Sequence, residues 1–337
     1  MNPLEQWVRR YEHRRWTTDE NRVVRPFAWG LEHLGGRPDE ADPRGFLAAW
    51  AEDTLANSEA WLAAPAASDY RLRDSVLTFT SFIASPWKEN NTVYAQLFAA
   101  SRTGPAVLVL PNWNAKWEGQ RSLCRWLQRL GITMLRMSLP YHDHRMPTGQ
   151  ERAEQLVGPS IGLTLQANRQ GVSDARQCLR WLEQQGYNRL GILGTSIGSS
   201  IGYITMAHDR AVRAGGFFHV STYFADVVRR GMNTSHVWES LRGNVSLEEL
   251  RRYWAPISPF PYVQRGMGKG KECLMVYGKY DPTFAVDLTL QLFAALRVQG
   301  DEPRTLGLPC GHYSLELAPF SYAAALRMAM FFLEALG

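Results

Sequence analysis

The spacing of apolar positions changes along the chain, and the change divides it. Over the first 70 residues the spacing is helical. Leu4, Trp7, Val8 and Tyr11 share one face, and "GFLAAWAEDTLANSEAWLAA" (45–64) predicts the clearest helix. From residue 74 the period shortens. "SVLTFTSFIAS" and "NTVYAQLFAA" predict two strands joined by the turn-like "PWKENN", an antiparallel pair. "PAVLVLP" (105–111) is a short continuous apolar run, as expected of a strand buried on both faces.

Beyond it, helical and strand patterns alternate. A helix over "EGQRSLCRWLQRLG" precedes the strand "ITMLRMSLP", and a helix over "GVSDARQCLRWLEQQG" precedes the strand "RLGILG". A helix "SSIGYITMAHD" and a strand "AGGFFHVS" follow. The last cycle is strand "ECLMVYG", helix "VDLTLQLFAALRVQG", strand "EPRTLGLP" and helix "SYAAALRMAMFFLEAL". This order predicts an α/β fold with a mainly parallel sheet and helices on both faces. The alternation lapses between His219 and Cys273, where about 45 residues of mixed helix and loop suggest an insertion. The expected organisation is therefore a helical extension over 1–70 and an α/β domain over 71–337, with a cap inserted at about 222–268.

Composition narrows the class. The 337 residues are 45% hydrophobic and 20% charged, with a net charge of +5, as in an ordinary globular protein. No basic run with interleaved aromatics suggests nucleic acid. The most basic stretch, "RRYEHRRW", sits on the first helix. It is read as a packed helix with a solvated cationic face, against peripheral contact with an anionic membrane. No signal-like or membrane-spanning apolar run is present, and Cys124, Cys178, Cys273 and Cys310 form no CxxC pair. A cytoplasmic protein with reduced thiols is expected, acting on a small molecule without cofactor or metal.

The candidate chemistry centres on "ILGTSIGSSIGY" (192–203). Ser196 falls between Gly194 and Gly198, where a strand turns into a helix. A nucleophile at such a turn needs small residues two positions away on either side, or their side chains collide. A plain glycine-rich turn with a capping serine would look similar in isolation. A serine also needs a histidine base, held in turn by a carboxylate. Downstream, "MVYGKYDPTF" places Asp281 just past one strand, and "LGLPCGHYSLE" places His312 just past the next. All three project onto the same sheet edge. Asp226, inside the insertion, is the rival acid.

"GTSIG", "YGKYDP" and "CGHYSLE" resemble the nucleophile, acid and histidine segments of the α/β-hydrolase superfamily, and "VLVLPNWNAKWEG" occupies its oxyanion-loop position. The resemblance covers residues 75–337. It is greatest to serine esterases, dienelactone-hydrolase-like members and a poorly characterised abhydrolase-domain group. It implies an α/β-hydrolase fold and cleavage of a carboxylic ester or related acyl bond through Ser196, His312 and Asp281. Peptide or amide hydrolysis, and a catalytically silent interaction protein, are the alternatives. It also implies an oxyanion hole from the Ile197 N–H and one N–H of the 112–114 loop. Pro111-Asn112 stands where the family has His-Gly, which makes Trp113 the candidate, with the Asn112 or Asn114 side chain a further donor.

Other residues invite weaker readings. In "PYHDHRMP", His142 and His144 are candidate substrate contacts, and their spacing does not suit a metal site. Trp113, Trp117, Trp238 and Trp254 suit either a pocket wall or core packing. "GMGKGK" lacks the strand-before, helix-after context of a phosphate loop.

Overall fold

A computed structural model describes residues 2–19, 21–100 and 103–337. Nine strands form one sheet: β1 (Arg71–Arg73), β2 (Val76–Thr80), β3 (Thr92–Phe98), β4 (Ala106–Leu110), β5 (Thr133–Met137), β6 (Leu190–Thr195), β7 (Val212–Phe218), β8 (Glu272–Gly278) and β9 (Arg304–Leu308). Their order is β1-β2-β3-β5-β4-β6-β7-β8-β9. The first three strands and the β3–β5 pairing are antiparallel, and every pairing from β5 through β9 is parallel. This is the α/β-hydrolase fold. The expected antiparallel pair is β2–β3. The exposed edge strand β1, only three residues long, was not foreseen.

Strand β4 explains the two-sided burial. Ala106, Leu108 and Leu110 pack into one core with Leu165, Val172, Ile201 and Ile204 of the helices Ile161–Gln184 and Ile197–His208. Val107 and Val109 face the other core, with Cys124 and Leu127 of helix Arg121–Arg129 and Met328, Phe331 and Phe332 of helix Phe320–Ala335. Successive strand residues point to opposite faces, so a strand covered on both sides must be apolar throughout.

Two helices depart from expectation for local reasons. The helix expected from Gly171 begins at Ile161. Its glycines serve close packing: a Cβ on Gly162 would lie 1.9 Å from the Gly30 carbonyl oxygen, and one on Gly171 would lie 3.0 Å from Ile201. The long helix expected over 45–64 is two helices, Pro43–Ala56 and Ser58–Trp61, divided at Asn57. All four cysteines are free thiols.

The first 70 residues are fastened to the rest. Leu31, Leu47 and Leu62 join the same core as β4, and Arg169 and Arg176 donate to the carbonyls of Trp61 and Leu62. Between β7 and β8 run four short helices, Phe224–Arg230, Ser235–Leu241, Leu247–Tyr253 and Pro259–Gln264. No described helix is long and apolar enough to cross a membrane.

Candidate active site

Ser196 lies between β6 and helix Ile197–His208 with φ 57° and ψ −120°, a strained conformation for a residue with a side chain. The flanking glycines are steric necessities. A Cβ on Gly194 would sit 2.5 Å from the Gly198 carbonyl oxygen, and one on Gly198 would sit 2.2 Å from that of Leu110. The turn is pinned to β7, because the Ser196 N–H donates to the Phe218 carbonyl at 2.8 Å and Ser199 Oγ donates to the same oxygen at 2.7 Å. Ser199 is thus a structural hydroxyl.

Asp281 and His312 follow β8 and β9 onto the same edge. Asp281 Oδ1 accepts the N–H groups of Thr283 and Phe284 at 2.7 and 2.8 Å, which fixes the carboxylate. Its Oδ2 lies 3.1 Å from His312 Nδ1, in a hydrogen bond that turns Nε2 away from the carboxylate. Phe284 stacks on the His312 ring at 5.5 Å and 8°. Among the described residues no hydrogen bond joins Ser196 Oγ to His312, although both line one cavity of about 520 Å³. Asp226 is held by Arg251 through two hydrogen bonds of 2.8 and 2.5 Å.

A second histidine, absent from the sequence-based candidates, joins this group. His219 follows β7 with φ 57°, and its ring lies 4.4 Å from that of His312. Its Nδ1 is 2.8 Å from the same Asp281 Oδ2. The angle is too poor for a hydrogen bond, so this is a close polar contact. Its place near the end of a predicted strand was the available signal. Burial, then the charge of His312, lower the pKa of His219, against the pull of Asp281. Burial also opposes protonation of His312, but Asp281, its hydrogen bond and the charges of Glu12 and Glu316 outweigh this and raise its pKa. Burial alone would raise the Asp281 pKa, but the two histidines hold it well below the usual range. Donor atoms of His219, Asp281 and His312 lie within 4.8 Å of one another, as a metal site would require. The Nδ1–Oδ2 separations are 3.1 Å for His312 and 2.8 Å for His219.

The loop after β4 is clamped over the elbow. Asn114 has φ 58°; its N–H donates to His142 Nε2 at 2.8 Å, and its Oδ1 accepts the Ala153 N–H at 2.9 Å. His142 Nδ1 is 2.8 Å from the Pro140 carbonyl and acts as donor there, so Nε2 is the acceptor. Buried Arg136 donates to the carbonyls of Lys116 and Gly119, and Gln120 reaches Thr195 Oγ1. The Asn114 N–H is therefore occupied, whereas the N–H groups of Asn112, Trp113 and Ile197 have no partner among the described residues. The Asn112 side chain donates to the Trp113 carbonyl at 3.2 Å. Asn112, Trp113, Asn114 and Ile197 all line the cavity.

His142 and His144 are placed elsewhere, correcting their reading as substrate contacts. His142 is buried behind the loop, where burial lowers its pKa to about 4 and keeps it neutral. Exposed His144 packs on the rings of Tyr94 and Trp117. Trp254 is core, its Nε1 donating to Ile161.

The N-terminal helix Pro3–Thr17 reaches the site. Buried Glu12 accepts the Tyr313 N–H at 2.9 Å and the Ser314 N–H at 2.8 Å, and takes a third bond from Ser314 Oγ at 2.7 Å. The loop carrying His312 thus hangs on a carboxylate that lies 301 residues before Tyr313 in the chain. Gly311 makes the approach possible, since a Cβ there would lie 2.6 Å from the Glu12 carboxyl carbon. Arg15, Asp19 and Arg22 line the cavity from this side, and Phe224, Val227, Val228, Asn233 and Thr234 line it from the insertion. The later helix Pro259–Gln264 does not line it. Glu12 read as one polar residue of an amphipathic helix, and nothing in its spacing marked it.

A serine elbow, a histidine paired with a carboxylate and a mostly parallel sheet place the molecule among α/β-hydrolases of the serine type. Residues 162–337 match the model of the prolyl oligopeptidase family, and the chain belongs to that family. Among solved structures it is similar to the acylaminoacyl peptidase of Pyrococcus horikoshii, at 14% identity and a TM-score of 0.61 over 79% of this chain and 42% of that one. A puromycin-hydrolyzing peptidase of Mycobacterium tuberculosis gives 14% identity and a TM-score of 0.57 over 73% of this chain and 37% of that one. An esterase of Pyrococcus furiosus gives 13% and 0.55 over 80% and 93%. The chain spans less than half the length of the two peptidases. No curated protein matches its sequence.

Proposed function

We propose that the protein is a serine hydrolase cleaving a carboxylic ester or related acyl bond, with Ser196 as nucleophile, His312 as general base and Asp281 as its orienting acid. The observation that carries this reading is the convergence, in one cavity, of a strained serine elbow and an imidazole whose Nδ1 is held by a buried carboxylate. In the reaction, Ser196 Oγ attacks the acyl carbon as its proton passes to His312 Nε2, and the imidazolium is stabilised by Asp281. The tetrahedral oxyanion is received by the Ile197 N–H and by that of Trp113 or Asn112. His312 then protonates the leaving group, and a water activated by the same base releases the acyl-enzyme. In this account residues 71–337 form the hydrolase domain. The start of the 222–268 insertion and the N-terminal helix together cover the pocket.

Membership in a peptidase family favours a second reading, amide or peptide cleavage by the same residues. Matched p-nitrophenyl esters and aminoacyl p-nitroanilides separate the two. We expect kcat/KM to be at least tenfold greater for the esters; the reverse order would assign the enzyme to peptides.

A further inference from the structure

Six charged side chains line the cavity: Arg15, Arg22, Lys116 and Arg152 against Asp19 and Glu316. Four cations face two carboxylates. Arg15, Lys116 and Glu316 are exposed, so the interior balance sets Arg22 and Arg152 against Asp19. Arg22 and Arg152 both pair with it, at 3.0 and 2.8 Å. Glu12 does not line the cavity, and its oxygens hold three donors of the His312 loop.

The two arginines differ in how many donors they use: Arg22 also donates from Nη1 to the Trp16 and Asp19 carbonyls and from Nη2 to the Tyr313 hydroxyl. Arg152 is 5% exposed, and its bonds to Asp19 and Asn21 all come from Nη1. Its Nε is buried with no partner, as is Nε of Arg22. Two desolvated guanidinium groups thus share one carboxylate, and Nη2 of cavity-lining Arg152 has no hydrogen-bond partner among the described residues. A buried N–H without an acceptor is costly, and more so on a charged group. The surplus is felt nearby: His236, stacked on Trp113, has its pKa lowered to about 4 by burial and then by the charges of Arg152 and Arg22. Arg152 also lies over the Trp113 ring at 4.7 Å, so this wall adjoins the candidate oxyanion loop.

We infer that the substrate carries an anionic oxygen group, a carboxylate or a phosphate, remote from the scissile bond, and that Arg152 and Arg22 receive it. The inference rests on the hydrolase reading above. A planar guanidinium with free N–H groups matches the oxygens of either group, and burial makes each bond stronger than at an open surface. No atom of the anion takes part in the reaction. Its binding energy fixes the acyl chain relative to Ser196.

Three p-nitrophenyl esters with acyl chains of similar length test this: the neutral valerate, the glutarate monoester and the 4-phosphonooxybutyrate. At least one anionic ester is expected to exceed the valerate tenfold in kcat/KM, and the better of the two identifies the oxyacid. Arg152→Gln is expected to lower that anionic-to-neutral ratio at least fivefold, which a merely structural role would not do. A valerate turned over as well as both anionic esters would overturn the inference and leave the hydrolase reading intact. Binding gives a second measure that needs neither turnover nor the arginine variant. In Ser196→Ala protein, calorimetry should find that glutarate monoanilide and 4-phosphonooxybutyranilide, or one of them, bind at least tenfold tighter than valeranilide. Equal affinities for all three would also overturn it.

Discussion

Glu12 illustrates how much a single carboxylate can organise at a distance. It holds two backbone N–H groups just beyond His312, and its charge helps raise the pKa of that histidine. It is a positioning residue in the proposed mechanism. Glu12→Gln keeps the shape but replaces charge-assisted bonds with weaker ones and turns one donor toward another; kcat/KM should fall about tenfold. The wild-type acid limb should lie above the ordinary histidine pKa of about 6.5, because the base must be neutral to act. Removing the Glu12 charge should move that limb to lower pH. A drop in rate with an unmoved limb would reduce Glu12 to a structural tie. His142 carries a separate prediction. Its folded pKa of about 4 lies below its unfolded value, so the unfolded chain binds more protons between them. Stability contributed by His142 is therefore complete above about pH 6.5 and is lost as pH falls toward 4, by up to about 3 kcal/mol. Urea midpoints measured across that range should fall less steeply in His142→Gln than in wild type.

At the scale of elements, the strand–turn–helix units were legible because each carries its own instructions. The Gly-x-Ser-x-Gly stretch specifies a turn that only small residues permit, and Asp281 and His312 sit directly after apolar strand runs. What pairs across the sequence was not legible. His219 ends a strand much as Asp281 and His312 follow theirs, yet "FFHVS" has no motif around it. The role of His142 behind the proposed oxyanion loop depends on a hydrogen bond from the Asn114 N–H, set by tertiary packing. Gly171 misled in the opposite direction, reading as a helix start where it is a close-packing position inside one helix. The elbow geometry yields a sharp expectation. Gly198→Ala places a methyl group 2.2 Å from the Leu110 carbonyl oxygen, and neither partner is a flexible side chain. The helix must shift, so ester hydrolysis should drop at least a hundredfold and thermal unfolding should occur several degrees lower. Near-normal activity in this variant would show that the turn tolerates more room than its contacts indicate.

Across the whole molecule, the sheet and its order of helices followed from periodicity, whereas the place of the first 70 residues did not. An amphipathic helix announces that one face is buried but not against what. Here Val8 is fully buried and Glu12 nearly so, while Leu4 and Trp7 remain 41% and 42% exposed. The helix is thus docked onto the rest of the fold through its centre. Val8→Asp should loosen that docking, lowering activity together with protease resistance of the N-terminal segment. Loss of resistance with full activity would separate the segment from catalysis. The central claim, that Ser196 is the nucleophile of this pocket, is tested most directly by labelling with a fluorophosphonate and mapping the adduct by mass spectrometry. The account predicts one adduct on Ser196, slowed by His312→Gln and abolished by Ser196→Ala. An adduct on another residue, or labelling that persists in Ser196→Ala, would contradict it.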